Sequence, residues 1–303
     1  MFDAASLPDL TDNTSALVLH EPKERPSDKD LQRVNGCCRV LLGGNEKGTR
    51  IMDVYQQSPI RVLFPRVGGG TLMGEAVLVN TAGGIAGGDQ LECSVTALDN
   101  ASIAVTSQAA ERIYRALDQP ARIKTSLKAS DAARLAWLPQ ETIVFNRARI
   151  SRETEIELSS GAELLALEWL VLGRAAYGEK MDSGRITDSW RVKKNGRLIW
   201  ADSFRVTDEV FPHLSRKALL SDCDAVATLL YFGPHLDMRL QLIRDAIQSL
   251  ECQCGATLVS GLIVVRFAAK AFCDLKFALQ ALLQQFDREF GPGPFRVPKM
   301  WSC

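Results

Sequence analysis

The side chains of this sequence that could do chemistry are mostly carboxylates set in apolar surroundings. Glu75 interrupts the run Leu72-Met73-Gly74-Glu75-Ala76-Val77-Leu78-Val79, and Glu168 interrupts Leu164-Leu165-Ala166-Leu167-Glu168-Trp169-Leu170-Val171-Leu172. A carboxylate buried in such a run needs a cation, several hydrogen bonds or water. Each glutamate is therefore open to two readings. One is a structural carboxylate held by a partner, with Arg174 as the cation considered for Glu168; the other is a group facing water or a metal. Between the two runs lies Asn80-Thr81-Ala82-Gly83-Gly84-Ile85-Ala86-Gly87-Gly88-Asp89, whose glycine pairs expose backbone that could supply or position ligands.

Other reactive groups are sparse. There is no Gly-x-Ser-x-Gly elbow, and His20, His213 and His235 are scattered over the N-terminal tail, a loop and a helix start. Without a clustered base, acyl transfer has no engine. His20 reads as solvent-facing, and His213 and His235 as structural or capping residues with transient metal contact as the alternative. Carboxylate pairs alone would permit a glycosidase, but the aromatic content offers no sugar platform. The stretch 83–89 lacks the Lys-Ser/Thr that completes a P-loop and the G-x-G-x-x-G spacing, and a strand follows it where a phosphate-binding helix should open.

The eight cysteines form neither a disulfide framework nor a zinc signature. Cys37 and Cys38 are adjacent, Cys252 and Cys254 form a lone Cys-x-Cys, and Cys93, Cys223, Cys273 and Cys303 stand singly. They read as small buried hydrophobes. A soft metal site at Cys252 and Cys254 is the alternative, and it lacks a further ligand at suitable spacing.

The elements that must position these groups are mainly strands. A chain of 303 residues with 46% hydrophobic content can bury a large core. Its 36 basic residues equal its 36 acidic ones, so the electrostatic drive for nucleic-acid binding is missing and protein or small-ligand partners fit better. No apolar run reaches the roughly 18 to 20 residues that span a bilayer. The N-terminus is acidic and polar, unlike a signal peptide, so a cytoplasmic location without membrane attachment is expected.

Residues 1–33 read as a flexible extension and 34–303 as a single extended domain, with a β body over 34–220 and an α+β part over 221–303. The spacing predicts a hairpin from 37–42 and 49–56, then short strands every 8 to 12 residues or so. A second hairpin turns at Asn195-Gly196, a pair suited to positive φ at both positions. Residues 164–172 could be a buried strand or a helix, because periodicity alone does not separate them. The last third reads β-α-β-β-α, with helices over 234–250 and 272–290, and Gly291-Pro292-Gly293-Pro294 stops the second. The tail with Trp301 is expected to dock on the body or on a partner. The fold expected is mainly β, a long coiled, solenoid-like body with two C-terminal helices.

Five ordered pieces of the chain also carry a family resemblance. They are Thr49-Arg50 with Ser58-Pro59-Ile60-Arg61-Val62; NTAGGIAGGD at 80–89 with TSQAAERIYRA at 106–116; Trp137-Leu138-Pro139-Gln140-Glu141-Thr142-Ile143-Val144-Phe145; Gly173-Arg174-Ala175-Ala176-Tyr177-Gly178-Glu179; and Val297-Pro298-Lys299-Met300-Trp301. Together they span roughly residues 36 to 303, and they resemble the urease accessory protein D family (UreD). The resemblance implies a non-catalytic scaffold that binds urease apoprotein with accessory proteins F and G, the latter a GTPase that delivers nickel. It also allows a dimer of such heterocomplexes. It implies no tightly bound cofactor but transient nickel, carried along an internal water-filled route. Physically, such a route should avoid strong cysteine or histidine cages, because a carrier that grips Ni²⁺ cannot release it; spaced carboxylates, carbonyls and waters hold a divalent ion weakly. The motif positions carried over are Glu75, Asp89, Glu141, Glu168, Glu179 and Asp202. Glu75, Asp89 and Glu168 are the route-lining candidates, whereas Glu141, Arg174 and Glu179 fix loops or partner contacts. The competing reading is a small-ligand enzyme using the glycine-rich stretch 83–89.

Overall fold

The computed structural model describes residues 32–45, 48–65, 74–174, 177–179, 181–291 and 293–302. Most of the expected N-terminal extension, residues 1–31, lies outside the described residues, as do Gly68-Gly69-Gly70, Leu72 and Met73. Strands are numbered β1 to β17 in chain order.

The chain is mostly strand, and it coils. A seven-stranded sheet runs in the order β2 (Gly48–Gln57), β1 (Asn35–Asn45), β5 (Gln90–Ala97), β8 (Ala121–Ala129), β11 (Arg149–Leu158), β13 (Arg185–Lys194) and β14 (Arg197–Val206). The five inner strands are parallel, and an antiparallel hairpin closes each end. The facing sheet runs β3 (Ile60–Leu63), β4 (Glu75–Asn80), β6 (Ser102–Ser107), β9 (Arg134–Trp137), β12 (Glu163–Leu172), β15 (Ala225–Phe232), β17 (Leu262–Ala269) and β16 (Gln253–Val259). Two short strands branch from β12, namely β10 (Thr142–Val144) and β7 (Glu111–Ile113). From β4 to β13 the chain passes back and forth between the sheets. Cys93 lies beside Thr125, and Thr125 beside Thr154, so one coil takes roughly 30 residues. The expected solenoid-like body with two C-terminal helices is thus what the chain forms.

Side-chain alternation explains why these segments are strands. In β11, Ile150, Arg152, Thr154, Ile156 and Leu158 are buried and the residues between them are partly exposed, the period-2 signature of a sheet with one wet face. The open question at 164–172 resolves as strand β12, buried along its length because both its faces are covered and apolar apart from Glu168. Leu164 and Ala166 join Val95, Leu127, Ile156 and Trp190 in the core between the sheets. Leu165, Leu167 and Trp169 face the other way, into a second core with the helices.

The helices α1 (Leu236–Ile247) and α2 (Phe272–Glu289) cover that outer face through Leu240, Ile243 and Ile247 and through Leu275, Leu279, Leu282, Leu283 and Phe286. Helix α1 starts later than the expected residue 234 because His235 adopts φ of 56°. Helix α2 stops as expected, with Gly291 at φ 73° just beyond it. Asn195 and Gly196 take φ of 49° and 76°, the double positive turn expected of that hairpin. The tail docks on the body: the Trp301 ring packs 5.3 Å from that of Trp169, and its indole N–H donates to the Leu138 carbonyl at 3.2 Å. Among the described residues no helix is long and apolar enough to cross a membrane.

Candidate functional site

The parallel register of β11 and β13 sets Arg152 beside Asp188, and both point into the space between the sheets. The guanidinium donates to both Asp188 oxygens, from Nε to Oδ1 at 2.9 Å and from Nη2 to Oδ2 at 2.7 Å. From the facing sheet, β12 brings in Glu168. Its Oε2 accepts from Arg152 Nη1 at 2.7 Å, and its Oε1 accepts from the Trp137 indole N–H at 2.8 Å. Arg152 Nη1 also donates to Thr142 Oγ1 at 3.1 Å. Two carboxylates thus share one guanidinium across the middle of the core, where each unpaired ion would cost several kcal/mol.

Such an arrangement sets the protonation of its members. Burial pushes the Glu168 carboxyl above the usual carboxylate range, and the Asp188 charge adds to this, against the opposing pull of Arg152 and Trp137. Although burial works against the Arg152 charge, Asp188 and Glu168 hold its proton more tightly than usual. A Glu168 that keeps its proton leaves a balanced Arg152–Asp188 pair; one that gives it up leaves a buried excess negative charge.

Glu168 also lines two cavities. One, of about 410 Å³, is walled by Glu168, Asp188, Thr228, Cys254 and Arg266. The other, of about 90 Å³, is walled by Asn80, Cys93, Glu111, Trp137, Arg152 and Glu168. Even the smaller has room for several waters. Asp202 does not line the larger one but pairs at 2.7 Å with Arg266 of its wall, which donates to Thr228 at 3.0 Å.

The other predicted residues lie apart from this cluster. Glu75 is in parallel register with Ala104, so it shares the outer face with Ala104, Ala136 and Leu165 and lies across the sheet from Glu168. It is 1% exposed; its Oε1 accepts from the Lys299 backbone N–H at 3.4 Å, and its Oε2 has no hydrogen-bond partner among the described residues. Asp89 closes its own turn, accepting from the backbone N–H groups of Val34 at 2.9 Å and Ala86 at 2.8 Å. Glu141 is buried, with Oε2 lacking a partner among the described residues; burial pushes its carboxyl up, against its own backbone N–H and Lys276.

Arg174 is not the partner of Glu168. Gly173, at φ 78°, turns the chain away after β12, and Arg174 forks instead onto both oxygens of Glu179 at 3.0 Å, fixing the loop. His213 sits in a 3-10 turn at Phe211–His213. Cys252 and Cys254 pack against the helix-side core; burial pushes both thiols up, Cys252 to about 12. Among the described residues no group of three or more histidine, cysteine, aspartate or glutamate side chains is arranged to hold a metal.

The glycine-rich turn spends its backbone internally. The N–H groups of Ile85 and Gly88 donate to Arg112 and Pro120 carbonyls at 2.8 and 3.2 Å, and that of Asp89 donates to Ala86 at 3.1 Å. A Cβ on Gly87 would lie 2.6 Å from the Gln119 carbonyl oxygen. Gly87→Ala should therefore cost about 1–3 kcal/mol by overpacking, read as a lower denaturant midpoint at unchanged slope.

Sequence reasoning missed Arg152, Asp188 and the pairing of Cys38 with Cys93. Arg152 shares the parity of Thr154, Ile156 and Leu158, and that signal would have placed it inside. The pairing of the cysteines depends on strand register, which the sequence does not display.

The family model described as UreD urease accessory protein matches residues 34–302. A Brucella anthropi protein named Urease accessory protein UreD 1 is 37% identical over 279 residues, covering 89% of this chain and 95% of that protein. Urease accessory protein UreD of Xanthobacter autotrophicus is 37% identical over 271 residues, covering 89% and 91%. The UreD of Brucella suis strain ATCC 23445 is 39% identical over 274 residues, covering 90% and 95%. The chain belongs to the UreD urease accessory protein family. In this UreD chain, the first three of the five stretches that carried the resemblance converge on the smaller cavity: Ile60 from the first, Asn80, Ser107 and Glu111 from the second, and Trp137, Gln140 and Thr142 from the third.

Proposed function

We propose that this chain is a non-catalytic urease maturation factor of the cytoplasm, a scaffold that joins urease apoprotein to accessory proteins F and G and passes nickel toward the urease site through its β body. The observation that carries the nickel reading is Glu168, a buried carboxyl at the wall of both cavities. A hydrated divalent cation reaching it would displace the carboxyl proton, and the oxygen set of Glu168 and Asp188 would hold it. Arg152, already paired to both, competes for the same oxygens and keeps that hold short-lived. A path of this kind trades protons for metal and retains neither. Of the three route-lining candidates Glu75, Asp89 and Glu168, it is Glu168 that borders both cavities. Asp89 is occupied with backbone N–H groups, and Glu75 would need a separate branch beneath the tail.

Glu168→Gln tests the reading, because Gln can accept from Trp137 but has no proton to exchange. The Arg152–Asp188 pair stays balanced, but the Gln amide NH2 faces a donor at the Arg152 Nη1 side, so stability should fall by about 1–3 kcal/mol. Urease co-produced with this variant and the other accessory proteins should contain several-fold less nickel. Full nickel loading with the variant would remove Glu168 from the path; full urease activity without this chain at all would defeat the scaffold reading itself.

A further inference from the structure

Cys38 of β1 and Cys93 of β5 are register partners on neighbouring parallel strands, so their side chains point to the same face. Their sulfurs are 3.2 Å apart. Neighbouring strands lie about 4.7–4.9 Å apart, inside the range of about 4.4–6.8 Å between Cα atoms that a disulfide spans, and closing the pair requires the sulfurs to reach about 2.05 Å. Cys38 is fully buried, whereas Cys93 is partly exposed and walls the smaller cavity. Cys37, next along β1, points to the opposite face and is excluded from the pair.

We propose that Cys38 and Cys93 form a redox-active dithiol that closes to a cross-strand disulfide when a peroxide enters the cavity walled by Cys93. The contact with Cys93 draws the Cys38 thiol below its ordinary value despite burial, and the same contact with burial pushes Cys93 well above it. The pair therefore ionises at Cys38, which takes the Cys93 proton across the 3.2 Å contact as the cavity-facing sulfur reacts. Cys93 attacks the peroxide: a sulfur–oxygen bond forms, the oxygen–oxygen bond breaks, and the departing hydroxide leaves as water with the proton the pair had lost. Cys38 then attacks the sulfenic sulfur of Cys93. A sulfur–sulfur bond forms as the sulfur–oxygen bond breaks, and the second hydroxide leaves as water with the remaining thiol proton. Two thiols and one peroxide give one disulfide and two waters.

The full chain should be exposed to graded hydrogen peroxide, alkylated under denaturing conditions and mapped by peptide mass. The expected result is loss of two labelled thiols and a linked peptide pair joining Cys38 to Cys93, reversed by dithiothreitol. Cys37→Ser should keep the link, and Cys38→Ser should abolish it while remaining folded by circular dichroism. Mapping of the unaltered chain decides the matter even if a variant fails to fold. Oxidation of the exposed Cys273 without a Cys38–Cys93 link would overturn the proposal, and so would an equal yield of that link from the urea-unfolded chain.

Discussion

Arg152→Met should lose about 3–5 kcal/mol of stability at neutral pH, the usual cost of stranding buried charge. The substitution keeps much of the side-chain volume, so the loss is not one of packing. It leaves Glu168 and Asp188 facing one another between the sheets with no cation. The sign of its pH dependence follows from that geometry. Without the guanidinium Glu168 loses the pull that opposes burial, so its carboxyl is raised further in the folded state, and the folded chain holds a proton that the unfolded chain has already released above about pH 4. Stability is then fullest below the unfolded pKa and falls as pH rises, and the gap from the unaltered protein should widen from pH 4 to pH 7. Adding Glu168→Gln to Arg152→Met should recover part of the loss. Urea titrations at several pH values read both effects; a deficit that is constant with pH would mean that packing, not charge, sets the role of Arg152.

Trp301→Ala should cost a comparable 3–5 kcal/mol, although it lies at the end of the chain. The indole is 2% exposed, packs on Trp169, and donates to the Leu138 carbonyl, which would lose its partner. The same tail gives Glu75 its contact from the Lys299 N–H and accepts from Gln140 Nε2 through the Met300 carbonyl at 3.2 Å. The substitution should therefore loosen the ends of β4 and β9 as well as the tail. Hydrogen exchange at those strand ends, beside the denaturant midpoint, measures it. A change below about 1 kcal/mol would show the tail to be an ornament on an independently stable body.

How far the sequence revealed this molecule depended on the range of the physics involved. Local signals were readable: the Asn195-Gly196 turn, the one-wet-face strands such as β11, the helix faces and the stop at Gly291 each follow from a few neighbouring residues. The buried glutamates were recognisable as anomalies because a carboxylate in an apolar run is costly wherever the run folds. Their partners were not, because Arg152 reaches Glu168 from the other sheet, and Arg174, closer in sequence, is carried away by the turn at Gly173. Which face a glutamate takes was equally hidden at Glu75, where apolar residues on both sides of the strand erase the alternation that would have told the faces apart. The family motifs pointed to the smaller cavity only once the coil had stacked residues 80, 111, 137 and 142 side by side.

The antiparallel hairpins at the two ends of the seven-stranded sheet bear on how such a chain stays separate from its own copies. A stack of parallel rungs is open-ended by construction, and its last rung displays the same ladder of donors and acceptors that its interior rungs satisfy. Turning the chain back on itself as β2 and as β14 presents a strand of reversed polarity at either end. Another molecule's rung, arriving in the direction that extends the coil, could pair there only antiparallel, so the parallel stack does not continue across the junction.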